Sequence, residues 1–121
     1  MFRYRLSSAA QSDILDILAW SQERFGDGAR LRYEALIIAA LRDVATQPDR
    51  PGSLERPELG VAVRSWHLRL SRERARTGTG VVRHPRHFLI YRVESDLVVI
   101  GRILHDAMEL ARHLAPQTAW A

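Results

Sequence analysis

"RHFLIYRVESDLVVIGRILH", residues 86–105, constrains this chain more than any other stretch. Two apolar runs, residues 87–93 and 97–104, flank the polar triplet Glu94-Ser95-Asp96. Each run is short, rich in Val, Ile, Leu and aromatic residues, and bounded by a turn signal, so the pair reads as a β-hairpin. Arginine and histidine stand at its ends. They are either a catalytic set mounted on the hairpin or the solvated trim of a β-scaffold.

The segments ahead of the hairpin have different periods. Residues 2–6 alternate apolar and basic side chains, which suits a short half-buried strand. Ser8 opens S-x-x-Q with Gln11, a capping-box signature, and Ala10, Ile14, Ile17, Leu18 and Phe25 then fall on one helical stripe that Gly26 stops. Asp27 caps a second helix with Ala29, Tyr33, Leu36, Ile37, Ala40 and Val44 on one face, and Gln47-Pro48 ends it. So short a connection predicts an antiparallel helix pair. Residues 48–60, with Pro48, Pro51, Gly52, Pro57 and Gly60, read as a loop. In residues 61–70, Trp66, Leu68 and Leu70 alternate with Ser65, His67 and Arg69, which predicts a half-buried strand. "SRERARTGTG", residues 71–80, is expected to be a mobile excursion that buries little, with "TGTG" as a hinge. After the hairpin, Asp106 and Glu109 form D-x-x-E at the start of a last short helix limited by Pro116. The expected order is β-α-α-β-β-β-α. This is an α+β fold, a helical hairpin packed on a mostly antiparallel four-stranded sheet, in one domain over residues 1–121.

Composition removes several chemistries. The chain has no cysteine, which excludes disulfides and thiol catalysis. The longest apolar run, residues 35–41, is far below the ~20 residues of a membrane span. "MFRYRLSSAA" has no apolar signal-peptide core, so no membrane is expected and the cytoplasm is the default compartment. Net charge is +4, and all 18 residues counted as Lys+Arg are arginine. A GC-rich coding bias produces that composition, and so does a surface that meets phosphates or carboxylates through arginine's bidentate fork. Without lysine there is no lysine base, no Schiff base and no G-x-x-x-x-G-K phosphate loop.

Few constellations remain. His84 and His87 lie three apart around Pro85, so in extended chain they point to opposite faces, and His105 and His113 are too far apart to share a helical turn. These histidines read as solvated, and no metal or cofactor is expected. No G-x-S-x-G is present. General acid–base cleavage of RNA needs cations on the phosphate together with a base and an acid, and Arg69, Arg92, Arg102 and His105 are the residues that could converge for it. Arg92 and Arg102, in adjacent hairpin strands, could also simply flank the core. On the second helix, Leu31 and Ile38 lie nearly opposite the core stripe, with Ala35 between them, Arg42 alongside, and Trp20 of the first helix extending the patch. Either a partner docks there, or the protein's own C-terminal tail covers that side.

Three stretches carry a family likeness: "YRLSSAAQSDILDILAWSQERFG", "RPELGVAVRSWHLR" and "HFLIYRVESDLVVIGRILHDAMELARHL". Together they resemble the ParE branch of the RelE/ParE superfamily, the toxins of bacterial type II toxin–antitoxin pairs. The likeness spans residues 3–114, with the hairpin and Arg102-Ile103-Leu104-His105 as its specific part, and it departs at the long excursion 71–83. It implies a microbial-ribonuclease-like scaffold in the order read above. RelE-type members cleave mRNA on the ribosome with basic residues and a C-terminal tyrosine or histidine, whereas this chain has no lysine and no tyrosine after Tyr91. ParE-type members instead bind and poison DNA gyrase. The resemblance therefore implies a non-enzymatic gyrase toxin whose target-binding surface includes Arg102, His105, Met108 and Arg112. It implies neutralisation by a ParD-like antitoxin whose acidic, amphipathic C-terminal segment crosses Trp20, Leu31, Ala35, Ile38 and Arg42, in a complex that binds operator DNA through the antitoxin. A ribosome-dependent mRNA endonuclease and a non-toxic binding or autoregulation module are the alternatives.

Overall fold

A computed structural model describes residues 2–107 together with 120 and 121. The elements are β1 (Arg3–Leu6), α1 (Ser8–Phe25), α2 (Asp27–Thr46), β2 (Leu54–Glu55), β3 (Arg64–His67), β4 (His87–Glu94) and β5 (Leu97–His105), with 3₁₀ segments at Pro57–Leu59 and Leu68–Ala75. The strand order is β1-β5-β4-β3-β2. Only β1 runs parallel to its neighbour β5, and the other pairings are antiparallel. The class is α+β as expected, with five strands in place of four. The extra strand, β2, is two residues long, too short to show a period inside a proline-rich loop. The helix expected from Asp106 onward, with Glu109 and Pro116, lies outside the described residues apart from Asp106 itself, which sits in a turn.

β1 passes into α1 through Ser7, whose buried hydroxyl donates to Gly101 O at 2.7 Å and accepts from Ala10 N at 3.0 Å. Ser7, one residue before the expected Ser8, is therefore the cap. The Gln11 side chain reaches Leu6 O instead of closing a box with Ser8. Ala10, Ile17 and Leu18 are buried on α1, but Phe25 is 67% exposed. Gly26, at φ 90, turns the chain straight into α2, so no helical turn follows Phe25 to cover it, and its ring meets Trp20 edge-on at 5.6 Å.

α2 buries Tyr33, Leu36, Ile37, Ala40 and Val44, and also Ala39, Leu41, Asp43 and Ala45. The reason for this wider burial corrects an expectation. Residues 71–75 are not a loosely held excursion: with Leu68, Ser71 and Ala75 buried, they continue a 3₁₀ segment against α2. The tie is polar. Ser71 Oγ accepts from Trp66 Nε1 at 2.9 Å and donates to Asp43 Oδ2 at 2.6 Å, and Arg74 Nε donates to both Asp43 oxygens at 2.9 and 2.8 Å. The strand expected over 61–70 shortens accordingly to Arg64–His67.

The hairpin stands as read, each strand one residue longer at its C-terminal end: β4 closes at Glu94 and β5 at His105. Ser95, at φ 57, makes the turn. Glu94 pairs with Leu97 and His87 with His105, while an irregularity beside Ile90/Tyr91 leaves Gly101 as the extra residue of β5. The main core, including Leu36, Val44, Leu89, Tyr91, Val98, Ile100 and Ile103, lies between sheet and helices, and a second cluster forms on the sheet's other face.

Candidate functional site

The hairpin register places His87 beside His105 at the open end of the sheet, and β3 adds His67 opposite Phe88. The His87 and His105 rings meet edge-on at 5.3 Å, and His67 stacks on Phe88 at 6.3 Å. Asp106, just beyond β5, is the hub. Its Oδ2 lies 3.1 Å from His67 Nε2, and its Oδ1 lies 3.2 Å from the Arg86 guanidinium. Burial pushes the Asp106 carboxyl up, but the His67 hydrogen bond and the charges of Arg86 and His105 outweigh it and hold the group below its ordinary value.

The hydrogen-bond partners decide what each imidazole can do. Arg69 N–H donates to His67 Nδ1 at 3.1 Å, and Ala107 N–H donates to His105 Nδ1 at 3.1 Å. The Tyr33 hydroxyl accepts Arg86 N–H at 3.2 Å and so turns its own proton to His87 Nδ1, at 2.5 Å. In all three rings Nδ1 is an acceptor, which makes Nε2 the protonated nitrogen of the neutral form. Asp106 Oδ1, 3.6 Å from His105 Nδ1, is a nearby charge and not a hydrogen-bond partner. Burial, reinforced by His105, pushes His87 down to about 4, and burial raises the Tyr33 hydroxyl to about 12. Both are neutral near pH 7. His87, expected to be solvated, is instead a half-buried member of this cluster.

Of the four residues considered for RNA cleavage, only His105 joins the cluster directly. Arg69 is exposed and borders a shallow groove of about 330 Å³ with Arg56, Ser65, His67, Phe88 and Asp106. Arg92 and Arg102 turn to different partners. Arg92 Nε binds Glu94 at 3.0 Å. Arg102 is forked onto Asp13 of α1 at 2.8 and 3.0 Å, a hydrogen-bonded pairing that raises its already high pKa further. Asp13 Oδ2 also accepts from Ile103 N–H. No cluster of three or more potential metal ligands occurs among the described residues. Met108 and Arg112 lie outside the described residues.

On the helical side, Leu31 is 60% and Ile38 42% exposed on α2, with Ala35 half-buried and Arg42 exposed. Trp20 is 49% exposed, and the Arg24 guanidinium lies 5.8 Å from its ring centroid. Sequence reasoning assigned Phe25 to the core stripe and passed over Leu15, and both are exposed on α1. It read Tyr33 as core and His67 as part of a strand without joining them to the strand-end cluster, and it passed over Arg86. The turn at 94–96 was the one available signal, and counting outward from it puts His87 opposite Leu104; the extra residue Gly101 in β5 moves its partner on to His105. No described helix is long and apolar enough to cross a membrane.

The family model described as "ParE toxin of type II toxin-antitoxin system, parDE" matches residues 4–110. The chain is also similar to "Toxin ParE1" of Caulobacter vibrioides, 28% identical over 111 residues that cover 92% of this chain and 96% of that protein.

Proposed function

Because the chain belongs to the ParE family of toxins of type II toxin–antitoxin systems, we propose that it arrests growth by binding DNA gyrase and not by cutting RNA. The supporting observation is how its cations and lone pairs are used. Arg102 is committed to Asp13 and Arg92 to Glu94. The acceptor nitrogens of His67, His87 and His105 are occupied by the protein's own N–H and O–H groups. A ribonuclease needs a free base beside the 2′-hydroxyl and cations aimed at the phosphate. A docking surface needs neither, and Arg102, His105, Met108 and Arg112 are proposed as part of one.

A ParD-like antitoxin is the proposed restraint, with an acidic amphipathic segment laid over Trp20, Leu31, Ala35, Ile38 and Arg42. Two large exposed apolar side chains seven residues apart on α2, with arginine beside them, suit such a segment. Operator binding by the complex would then run through the antitoxin. The test is a supercoiling assay with purified gyrase beside a translation assay that monitors mRNA integrity. Gyrase inhibition with intact mRNA is expected. Ribosome-dependent mRNA cleavage with gyrase unaffected would overturn the reading.

A further inference from the structure

Residues 69–86 carry a charge that neither the proposed gyrase surface nor the antitoxin face uses. They hold Arg69, Arg72, Arg74, Arg76, Arg83 and Arg86 against one carboxylate, Glu73, for a net +5. The whole chain nets +4, so everything outside this stretch nets −1. Contacts join these arginines into one surface. Arg72 Nη1 donates to Arg83 O at 3.0 Å, and Glu73 lies 3.5 Å from Arg72 and 3.3 Å from Arg76. Arg86 pairs with Asp106 at 3.2 Å, and Arg69 borders the groove that Asp106 lines. Asp43 and Asp106, reaching in from outside the stretch, offset Arg74 and Arg86, so the net +5 falls by two to +3. Arg69 and Arg83 are exposed, and their guanidinium groups have no hydrogen-bond or ion-pair partner among the described residues.

The stretch is held in place. Arg74 is forked onto Asp43 of α2, Arg32 of α2 donates to Thr79 Oγ1 at 3.1 Å, and Thr77 and Gly80 exchange main-chain bonds at 2.9 and 3.1 Å. Folding therefore presents the cations largely pre-ordered. What the surface lacks identifies its ligand. A protein partner would need aromatic or aliphatic anchors, and none of the large apolar side chains exposed among the described residues lies in 69–86. Unpaired bases would need an aromatic platform, and the stretch has no Phe, Tyr or Trp. A duplex keeps its bases stacked inside and offers regularly spaced phosphates, which arginines bind without either.

We propose that residues 69–86 form a duplex-DNA contact surface that grips the phosphate backbone without reading sequence. This surface is separate from the α1–α2 face proposed for the antitoxin and does not depend on gyrase being the target. Its affinity is electrostatic, so salt governs it. Three phosphate contacts give a log–log salt slope of about −3, a loss of about 40-fold in affinity between 50 and 200 mM salt.

The experiment uses the full chain and fluorescence anisotropy of a labelled, mixed-sequence duplex of about two helical turns. Arg69→Gln with Arg76→Gln and Arg83→Gln alters only exposed side chains. It should leave the melting curve unchanged, weaken binding about tenfold or more and flatten the salt slope. Arg3→Gln with Arg24→Gln and Arg30→Gln removes the same formal charge elsewhere and should cost less than about twofold, because screening confines each charge to its neighbourhood. Four results overturn the proposal: a salt slope shallower than about −1; equal losses in the two triple variants, which makes net charge the cause; tighter binding to a single-stranded RNA of the same length; or equal competition by a glutamate-rich peptide, which makes the surface one for an acidic protein. If the first triple variant melts early, Arg83→Glu decides, at a side chain with no described partner. It should weaken duplex binding about fivefold, and unchanged affinity overturns the proposal.

Discussion

His87 should make this protein lose stability in mild acid, well above the range where carboxylates protonate. In the fold its pKa lies near 4, depressed from 6.5 by burial and by His105. A depressed histidine binds its proton in the unfolded chain first, so stability is fully present above about pH 6.5 and drains away as pH falls toward 4. The whole interval corresponds to about 3 kcal/mol, of which about 2 kcal/mol is lost between pH 8 and pH 5. Asp106, held below its ordinary value, acts with the opposite order: its contribution is present above the unfolded carboxylate range and is lost only below it, outside this window. Against a total stability of 5–15 kcal/mol for a domain of ordinary size, roughly 2 kcal/mol is easily measured. Urea unfolding at pH 5, 6, 7 and 8 gives the slope, and His87→Asn supplies the reference, because its amide oxygen can accept the Tyr33 proton without titrating. The reference should lose about 2 kcal/mol less over the same interval. Parallel pH profiles for the two proteins, or a His87 ring signal that titrates above pH 6, would refute the reasoning.

The remaining expectations concern the ion pairs and the two faces. Asp13→Asn weakens the Arg102 fork while keeping one acceptor for Ile103 N–H, and should cost about 1–3 kcal/mol in urea unfolding; an unchanged midpoint would mean the pair behaves as a solvent-screened surface contact. Asp43→Ala strands Ser71 and Arg74, and because Arg74 is half exposed the cost should stay near 2–3 kcal/mol; amide exchange should accelerate first in residues 68–75, and uniform acceleration across the sheet would contradict this. Leu31→Glu with Ile38→Glu should weaken antitoxin binding by more than about 100-fold, since two carboxylates would be desolvated in the contact, while circular dichroism stays native. His105→Ala should retain growth inhibition in cells lacking the antitoxin, whereas loss of a catalytic base costs ~100-fold or more; a folded but silent variant would restore the nuclease reading.

The parts of the fold that were legible are those whose signal is apolar and local. The β4–β5 hairpin announces itself by two apolar runs around Glu94-Ser95-Asp96, and the α2 core stripe by its 3.6-residue period. The misreadings have polar causes. Residues 71–75 look unburied because hydrophobicity is blind to a serine and an arginine folding onto the buried carboxylate of Asp43. The cap shifts from Ser8 to Ser7 because Gly101, far along the chain, supplies the acceptor that fixes the Ser7 hydroxyl. The strand-end cluster was harder still. Four of its members are separated by more than thirty residues from their partners, and sheet register together with the packing of α2 on the sheet brings them together.

The same register bears on the arginines and histidines at the hairpin ends. A general base needs a lone pair free to face a substrate, and these rings have spent theirs on Arg69 N–H, Ala107 N–H and the Tyr33 hydroxyl. What the bonds do instead is orient the chain. His67 caps the 3₁₀ segment that packs on α2, and His105 receives the first amide beyond Asp106. Asp106 joins both to β4 through Arg86. Each link runs toward the end of β5. Tyr33, reaching into the same network from the core side of α2, ties the end of the hairpin to the helix whose outer face carries Leu31 and Ile38. For the proposed gyrase-binding toxin, a hub joining the end of β5 to the helix whose outer face is proposed for the antitoxin matters more than a reactive imidazole would.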